Sequence, residues 1–297
     1  ARSKAKIVAV TGSVGKTSTK EALRRVLGAS GTVHASLASF NNHWGVPLTL
    51  ARLPETDDFG VFEIGMNHAG EITPLTKLVR PHVAIVTTVA RVHLEHFSGI
   101  EAIADAKAEI FLGLEPGGVA VINGDIGEFE RLRRAANAAG ARIVVFGNGE
   151  SAHARLVKCA LAETSSCVTA EILGETMSYR IGAPGLHLVE NSLAVLATAK
   201  LVEADLALAG LAFQDLSQPK GRGRRHRLAV RDGFATLIDE SYNANPESMR
   251  AAIRLLKLST PGPGGRRIAV VGDMLELGRD ARRLHARVAR MAANNGV

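Results

Sequence analysis

The sequence is short of cysteine, and its leading apolar run is brief. Only two of its 297 residues are cysteine, Cys159 and Cys167, so a disulfide framework and a cysteine-based metal cluster are both excluded. Only four apolar residues, 7–10, separate the basic start of the chain from a glycine-containing loop. A signal peptide or a membrane-spanning helix needs a longer run. We therefore expect a cytoplasmic protein that is neither secreted nor inserted into a membrane.

Aromatic residues make up only 4% of the chain, whereas basic residues exceed acidic ones and give a formal net charge of +7. Much of this excess lies in one stretch, residues 217–227, which we call the basic linker. Its charged side chains are Lys220, Arg222, Arg224, Arg225 and Arg227. The linker lacks the interleaved aromatic residues on which single-stranded nucleic acid stacks. Charge alone fits either a nucleic acid or a small anionic substrate.

Apolar runs and helical spacing alternate along the chain, which is typical of a soluble α/β protein long enough for two domains. Strands are predicted at 7–10, 59–64, 82–88, 119–122 and 143–146. Helices are predicted at 16–27, 45–53, 71–79, 100–112 and 127–139. This alternation indicates a mainly parallel sheet covered on both faces. From residue 151 to residue 181 the sequence contains short alternating runs, which predict a small antiparallel meander.

The polar, glycine-rich stretch at 217–223 is the best candidate for a domain boundary. Two further helices, at 188–204 and 206–213, precede it. Beyond it, the sequence predicts strands at 227–230, 234–239 and 268–271 and helices that begin after Pro246 and at Gly278. This second α/β unit is expected to be a partial Rossmann-like domain, because two or three strands make only half of a doubly wound sheet.

The first strand leads directly into the loop and helix start TGSVGKTS at 11–18. Glycines let the loop turn tightly and aim its N–H groups inward, and the helix adds its positive dipole end. We expect polyphosphate there, with Lys16 on the β- and γ-phosphates and Thr17 on magnesium. The loop is shorter than a Walker loop and has Val10 where that motif has glycine, so a solvent turn is the alternative. The expected nucleotide-binding residues are Gly12, Ser13, Gly15, Lys16, Thr17 and Ser18.

Chemically active side chains follow two of the predicted strands and lie in a later helix. Glu63 lies near the carboxyl end of the strand at 59–64, where it would bind magnesium or pair with a lysine. His93 and His96 lie in the loop after the next strand, where a metal site and a structural role are equally open. Lys107 lies among alanines in a helix, and composition alone predicts that it extends to solvent.

Two polar turns open predicted helices, SFNNHWGVP at 39–47 and DESYNANP at 239–246. Their free amide groups would suit a bound substrate. Asn and Ser are also favoured at helix starts, so both turns can equally serve as helix caps.

Taken together, these motifs resemble the Mur ligases of peptidoglycan synthesis. The resemblance covers nearly the whole chain, in order and spacing: TGSVGKTS (11–18), NNHWGVP (41–47), EIGMNHAGEI (63–72), HLEHF (93–97), AKAEIF (106–111), ESYNANP (240–246) and VGDMLELG (271–278). The short P-loop and the last two motifs separate this branch from folylpolyglutamate synthase and other Mur ligases. The matching branch adds D-alanyl-D-alanine to UDP-N-acetylmuramoyl-tripeptide.

The resemblance implies a three-domain enzyme of which this sequence holds two parts. Residues 1–220 would be the central ATP-binding domain, and residues 221–297 the first part of the C-terminal domain. The implied reaction is ATP-dependent amide-bond ligation: ATP phosphorylates the carboxylate that ends the nucleotide-linked tripeptide, and the amine of D-alanyl-D-alanine attacks the acyl phosphate. The implied partners are these two substrates, ATP and Mg²⁺, with no nucleic acid, and a monomer is expected.

The resemblance also assigns roles to individual residues. Thr17, Glu63 and His93 match metal ligands. Lys107 matches the lysine that the family carbamylates with carbon dioxide, which converts a cation into an anionic oxygen ligand and reverses the interpretation from composition. With Lys16 and Arg225, His93 and Lys107 form the expected catalytic set.

Three further positions match contacts to ATP. Asn191 and Asn245 would lie around the nucleoside, and Arg225 near the phosphates. The assignment of Arg225 is open to a shift of register, because three other arginines lie in the same basic linker.

Two alternatives stay open at this point. One is a P-loop nucleotide-binding module whose basic linker docks nucleic acid, although the sequence has no recognised nucleic-acid-binding motif. The other is a fragment or degenerate copy that binds ATP without turning it over. The sequence does not say whether the third residue of the tripeptide is lysine or diaminopimelate.

Overall fold

The computed structural model of the chain describes residues 3–37, 39–92, 94–231 and 233–297. In these residues, a nine-stranded sheet flanked by helices is followed by a two-stranded ribbon with two helices. We call the part up to residue 220 the first unit and residues 221–297 the second unit. Among the described residues, no helix has the length and apolar character needed to cross a membrane.

The large sheet confirms the prediction of a mainly parallel sheet with an antiparallel meander. Its strands are β1 (Lys6–Thr11), β2 (Val33–Ala35), β3 (Phe59–Glu63), β4 (Val83–Val86), β5 (Val119–Asn123), β6 (Arg142–Gly147), β7 (Ala154–Leu161), β8 (Ser166–Ile172) and β9 (Glu175–Ile181). Their order is β2-β3-β1-β4-β5-β6-β7-β8-β9. The pairs up to β7 are parallel, and β8 and β9 are antiparallel. The meander therefore extends the parallel sheet at one edge.

Helices cover both faces of this sheet. They are α1 (Lys16–Leu27), α2 (Gly45–Ala51), α3 (Ile72–Val79), α4 (Ile100–Ala108), α5 (Phe129–Ala138), α6 (Leu186–Leu201) and α7 (Leu206–Ala212). In β1, Val8 and Val10 face a core that includes α1, α6 and α7. Ile7 and Ala9 face the opposite core, with α2 to α5. Burial on both faces explains why the strand is a continuous apolar run.

The helix predicted at 100–112 ends as an α-helix at Ala108 and continues as a 3₁₀ turn, Glu109–Gly113. The 3₁₀ turn packs closely against α3. A Cβ at Gly113 would overlap the backbone of Thr76, and the Thr76 hydroxyl donates a hydrogen bond to the Ile110 carbonyl at 2.8 Å. This contact brings α3 against the tightened turn, and spacing along the sequence does not reveal it.

The second unit contains the strands β10 (Arg224–Val230) and β11 (Gly233–Asp239) and the helices α8 (Pro246–Leu258) and α9 (Ala281–Asn294). The prediction of a strand at 268–271 is wrong: this segment is described, and it pairs with no described strand. Ile268 is 65% exposed and Val270 is 97% exposed. An apolar run becomes a strand only when a neighbouring strand accepts its backbone hydrogen bonds.

Candidate active site

The P-loop connects the end of β1 to the start of α1, as the sequence predicts. Gly15 caps α1 in a left-handed conformation with φ of 86°. A Cβ at Gly12 would overlap the Thr87 side chain, and one at Gly15 would lie 2.8 Å from the Asn191 amide nitrogen. The two glycines are thus required both by backbone conformation and by close neighbours.

Hydrogen bonds between Ser13 and the segment that follows β4 hold the loop in place. The Ser13 backbone N–H donates to the Thr88 carbonyl at 2.8 Å. The Ser13 hydroxyl donates to the Ala90 carbonyl at 3.1 Å, and the Ala90 N–H donates back to the same hydroxyl at 2.9 Å. Ser13 therefore has a structural role, and its backbone N–H is already bonded to the Thr88 carbonyl.

Lys16 folds back over the loop, where its Nζ donates to the Gly12 carbonyl at 2.8 Å. Burial lowers the pKa of Lys16; nearby Glu63 opposes this shift, and the positive charge of Arg222 adds to it. The loop therefore brings one lysine, one carboxylate and one arginine of the second unit close enough to act on one another.

Glu63 ends β3 at the carboxyl edge of the sheet and is only 1% exposed. Its Oε1 accepts hydrogen bonds from the Thr17 hydroxyl at 3.2 Å and from the Asn41 amide at 2.8 Å. Its Oε2 is buried and has no hydrogen-bond partner among the described residues. An unpaired buried carboxylate oxygen beside a hydroxyl is what a hard cation such as Mg²⁺ would use.

Lys107 lies in α4 and is 2% exposed, so it does not extend to solvent as composition alone suggests. Burial, and then the like charge of Lys16, hold the pKa of Lys107 well below its usual range. Both effects favour the neutral amine, which is the nucleophilic form of a lysine. The structure thus brings Lys107 near the P-loop lysine.

His93, expected as a metal ligand, lies outside the described residues. His96 is exposed, and its ring lies 4.5 Å from that of His68 between centroids. Across the described residues, no group of three or more histidine, cysteine, aspartate or glutamate side chains is arranged to hold a metal. Among the described residues, the candidate ligands for a cation are the Glu63 carboxylate and the Thr17 hydroxyl, which lie within hydrogen-bond distance of each other.

The two asparagines expected at the nucleoside lie in different units. Asn191, in α6, has its amide against Gly15 of the P-loop. Asn245 caps α8, where its Oδ1 accepts from the N–H groups of Glu247 at 3.1 Å and Ser248 at 2.9 Å. The side chain of Asn245 therefore caps a helix, and only its amide NH₂ group is free to donate to a ligand.

The structure places Arg225 differently from the prediction. Its guanidinium pairs with Glu163 at 2.9 Å and donates to the Ser259 hydroxyl at 3.0 Å. Arg222 instead acts electrostatically on Lys16 and stacks on Tyr242, with 4.2 Å from Cζ to the ring centroid. Arg225 is thus engaged by Glu163 and Ser259, whereas the charge of Arg222 acts on the P-loop lysine. Arg222 is therefore the candidate for the shift of register left open by the sequence.

Comparison with known proteins agrees with this geometry. A family model described as the Mur ligase middle domain matches residues 10–199, and one described as Mur ligase, glutamate ligase domain matches residues 223–297. The chain belongs to the Mur ligase family. Within that family its α/β fold, with a P-loop at the carboxyl edge of a mostly parallel sheet, is the expected one.

Two curated relatives carry the name UDP-N-acetylmuramoyl-tripeptide–D-alanyl-D-alanine ligase. The relative from Rickettsia prowazekii is 34% identical over 284 residues, which are 95% of this chain and 62% of the relative. The one from Escherichia coli K12 is 35% identical over 295 residues, 99% of this chain and 63% of the relative. The chain thus spans about three fifths of the length of these Mur ligases.

Two solved Mur ligase structures are also similar to the chain. MurF from Acinetobacter baumannii superposes with a TM-score of 0.89 at 31% identity, covering 97% of this chain and 61% of that one. MurF from Thermotoga maritima in complex with ADP gives a TM-score of 0.84 at 25% identity, with coverage of 97% and 64%. Both comparisons extend across the two units.

Proposed function

We propose that this chain is the ATP-binding part of a Mur ligase that joins D-alanyl-D-alanine to UDP-N-acetylmuramoyl-tripeptide. The observation that carries the proposal is the group of charges at the carboxyl edge of the sheet. The charge of Arg222 acts on Lys16, and the charge of Lys16 acts on Lys107. Glu63 also acts on Lys16, and one of its buried carboxylate oxygens has no hydrogen-bond partner among the described residues. An excess of positive charge beside a P-loop fits a polyphosphate ligand.

In this proposal the P-loop binds ATP and Lys16 releases the Gly12 carbonyl to reach the β- and γ-phosphates. Arg222 supplies further positive charge as the γ-phosphoryl group moves to the terminal carboxylate of the tripeptide. The amine of D-alanyl-D-alanine then attacks the acyl phosphate, an amide bond forms and phosphate leaves. The side chains act through position and charge, which is where most catalysis of phosphoryl transfer lies.

Glu63 and Thr17 would hold Mg²⁺, and His93 would join them. When bound, the ion supplies positive charge that screens the phosphate oxygens. The neutral amine of Lys107 would take up carbon dioxide and lose a proton, which gives a carbamate whose single negative charge is shared by two oxygens. The buried, cationic surroundings of Lys107 favour the amine that this reaction requires.

The further assignments follow from the same proposal. Residues 1–220 would form the central domain and residues 221–297 part of the C-terminal domain. The proposed reaction would use cytoplasmic ATP, and both cysteines of the chain are free, so we place the protein in the cytoplasm. We also expect a monomer.

The test is phosphate release from ATP by the complete protein. Release that requires both UDP-N-acetylmuramoyl-tripeptide and D-alanyl-D-alanine would support the ligase. Stimulation by DNA or RNA would favour the nucleic-acid-docking module instead. ATP binding without turnover in the presence of both substrates would identify a degenerate ligase.

A further inference from the structure

Arg222 lies in a turn at the start of the second unit, and one aromatic side chain packs against its guanidinium. Its Cζ lies 4.2 Å from the centroid of the Tyr242 ring. No carboxylate of the described residues forms an ion pair with it, in contrast to Arg225, which pairs with Glu163. The stacking contact is therefore the main side-chain restraint on Arg222.

The backbone holds the arginine and the ring in register. The Tyr242 N–H donates to the Gly221 carbonyl at 3.1 Å. The Gly221 N–H donates to an Asp239 carboxylate oxygen, also at 3.1 Å. Gly221 has φ of 74°, and a Cβ there would lie 3.0 Å from the Cβ of Tyr242. The residue before Arg222 must therefore be glycine for the turn to lie this close to the tyrosine.

The charge of Arg222 affects the pKa of one side chain in each unit. It lowers the pKa of Lys16 in the first unit, and it counteracts the rise in the pKa of Glu240 in the second unit. The guanidinium is therefore near enough to both Lys16 and Glu240 for its charge to act on each. A long, flexible side chain in this position needs a restraint if it is to meet a phosphate without a large loss of conformational entropy.

We propose that Tyr242 is a positioning residue that holds Arg222 toward the polyphosphate of ATP at the P-loop. The inference rests on the proposed nucleotide binding and goes beyond it, since it assigns a role to a side chain that need not touch the ligand. The flat guanidinium stacks on the ring face, which leaves its N–H groups at the edge free to donate to phosphate oxygens.

The experiment is calorimetric titration of Mg·ATP into the 297-residue chain and its variants. We expect Tyr242→Ala to weaken binding by about 3- to 10-fold, the range of a partly exposed cation–π contact. Tyr242→Phe keeps the ring and should bind within about 2-fold of the unsubstituted chain. The matched control is Phe234→Ala, which removes the ring under Arg227, 3.8 Å away in the same unit, and should leave binding unchanged.

A double substitution separates positioning from general damage. If Tyr242 acts through Arg222, then Tyr242→Ala should cost nothing further in an Arg222→Met background. Equal losses of Mg·ATP affinity in both backgrounds would overturn the inference. It would also be overturned if Tyr242→Ala left the affinity unchanged, or if Tyr242→Phe lowered the affinity as much as Tyr242→Ala does. If the unsubstituted chain fails to bind Mg·ATP, the proposed nucleotide binding fails, and the role of Tyr242 fails with it.

Discussion

The two units of the chain hold their functional side chains in different ways. In the first unit, Glu63 ends a buried strand and accepts hydrogen bonds from two other segments, through Thr17 and Asn41. In the second unit, Arg222 lies in a surface turn and rests on Tyr242, which is 54% exposed. Buried, multiply bonded groups are costly to disturb, whereas a surface contact contributes little to stability.

The two units also differ in how much apolar surface they bury. The central sheet has a continuous core on each face, while the core of the second unit is a small cluster around Ile253 and Leu284. The ribbon leaves apolar side chains such as Phe234 at 64% exposure. In the proposed site, the first unit would supply the well-packed frame and the second unit would contribute side chains to it. The predictions below test this division.

The largest effect is expected from Lys16→Ala in the complete protein. Removing the P-loop lysine should lower the ligation rate by about 10⁴-fold, because phosphoryl transfer depends on positioned positive charge. The fold should survive, with the free energy of unfolding changed by less than about 1 kcal/mol, since the side chain is only partly buried. Turnover assays measure the ligation rate and urea denaturation measures the free energy of unfolding, with substitution of the exposed Lys77, Lys77→Ala, as control. Unchanged turnover would remove the P-loop from the mechanism.

The next largest effect is expected from Lys107→Ala. Loss of the amine should reduce ligation by the complete enzyme about 10³-fold, because the carbamate that completes the cation site cannot form. Acetate or formate should restore part of the activity by filling the vacated position. Turnover is measured against acid concentration, with chloride at matched ionic strength as control. Equal recovery with chloride, or near-normal activity without acid, would show that Lys107 is not a ligand precursor.

A smaller effect is expected from Glu63→Gln. The amide keeps an oxygen that accepts from Thr17 and Asn41, but it lacks the negative charge that attracts a divalent cation. The magnesium concentration for half-maximal activity should rise by at least about 10-fold. Activity is titrated with Mg²⁺ in the complete protein, alongside the exposed Glu101→Gln. A titration curve that does not move would make Glu63 a purely structural residue.

The smallest effect concerns stability in the second unit. Burial raises the pKa of Glu240 to about 7; the positive charge of Arg222 opposes this rise, and the negative charge of Asp239 adds to it. A raised carboxyl pKa contributes stability that is fully present below the unfolded value near 4.5 and is lost as the pH rises through 7. Allowing for partial exposure, we expect a loss of about 1 kcal/mol between pH 5 and pH 8.

Urea unfolding at the two pH values checks this prediction. Glu240→Gln should flatten the pH dependence, and Glu247→Gln, on the neighbouring helix, should leave it in place. A pH dependence that is unchanged in the Glu240→Gln variant would show that another group is responsible.

The comparison of sequence and structure shows which features are local. The P-loop is predictable because an apolar strand, two glycines and a helix start follow one another. Lys107 is not predictable from composition, because its burial depends on how α4 packs near the loop. The family resemblance indicated its role, and the structure adds the surroundings that favour a neutral amine.

The choice among the linker arginines shows a second limit. Arg222 and Arg225 lie three residues apart in a stretch without helical or strand periodicity, so spacing gives no reason to prefer one. Their neighbours decide: Glu163, distant in sequence, pairs with Arg225, and Tyr242 stacks on Arg222. The glycine before Arg222 was the available signal, since a tight turn brings the next side chain close to the strand end.

The central position of β1 also bears on the order of folding. Val8 pairs with Val61 and Val83, both distant in sequence, whereas Val168 of β8 pairs with adjacent strands of the meander. Pairs between neighbours close shorter loops and form sooner. In pulse-labelled refolding, the Val168 amide should therefore gain protection before that of Val8. The P-loop follows the central strand β1, so the proposed binding of ATP would stabilise the finished domain and would not guide its early assembly.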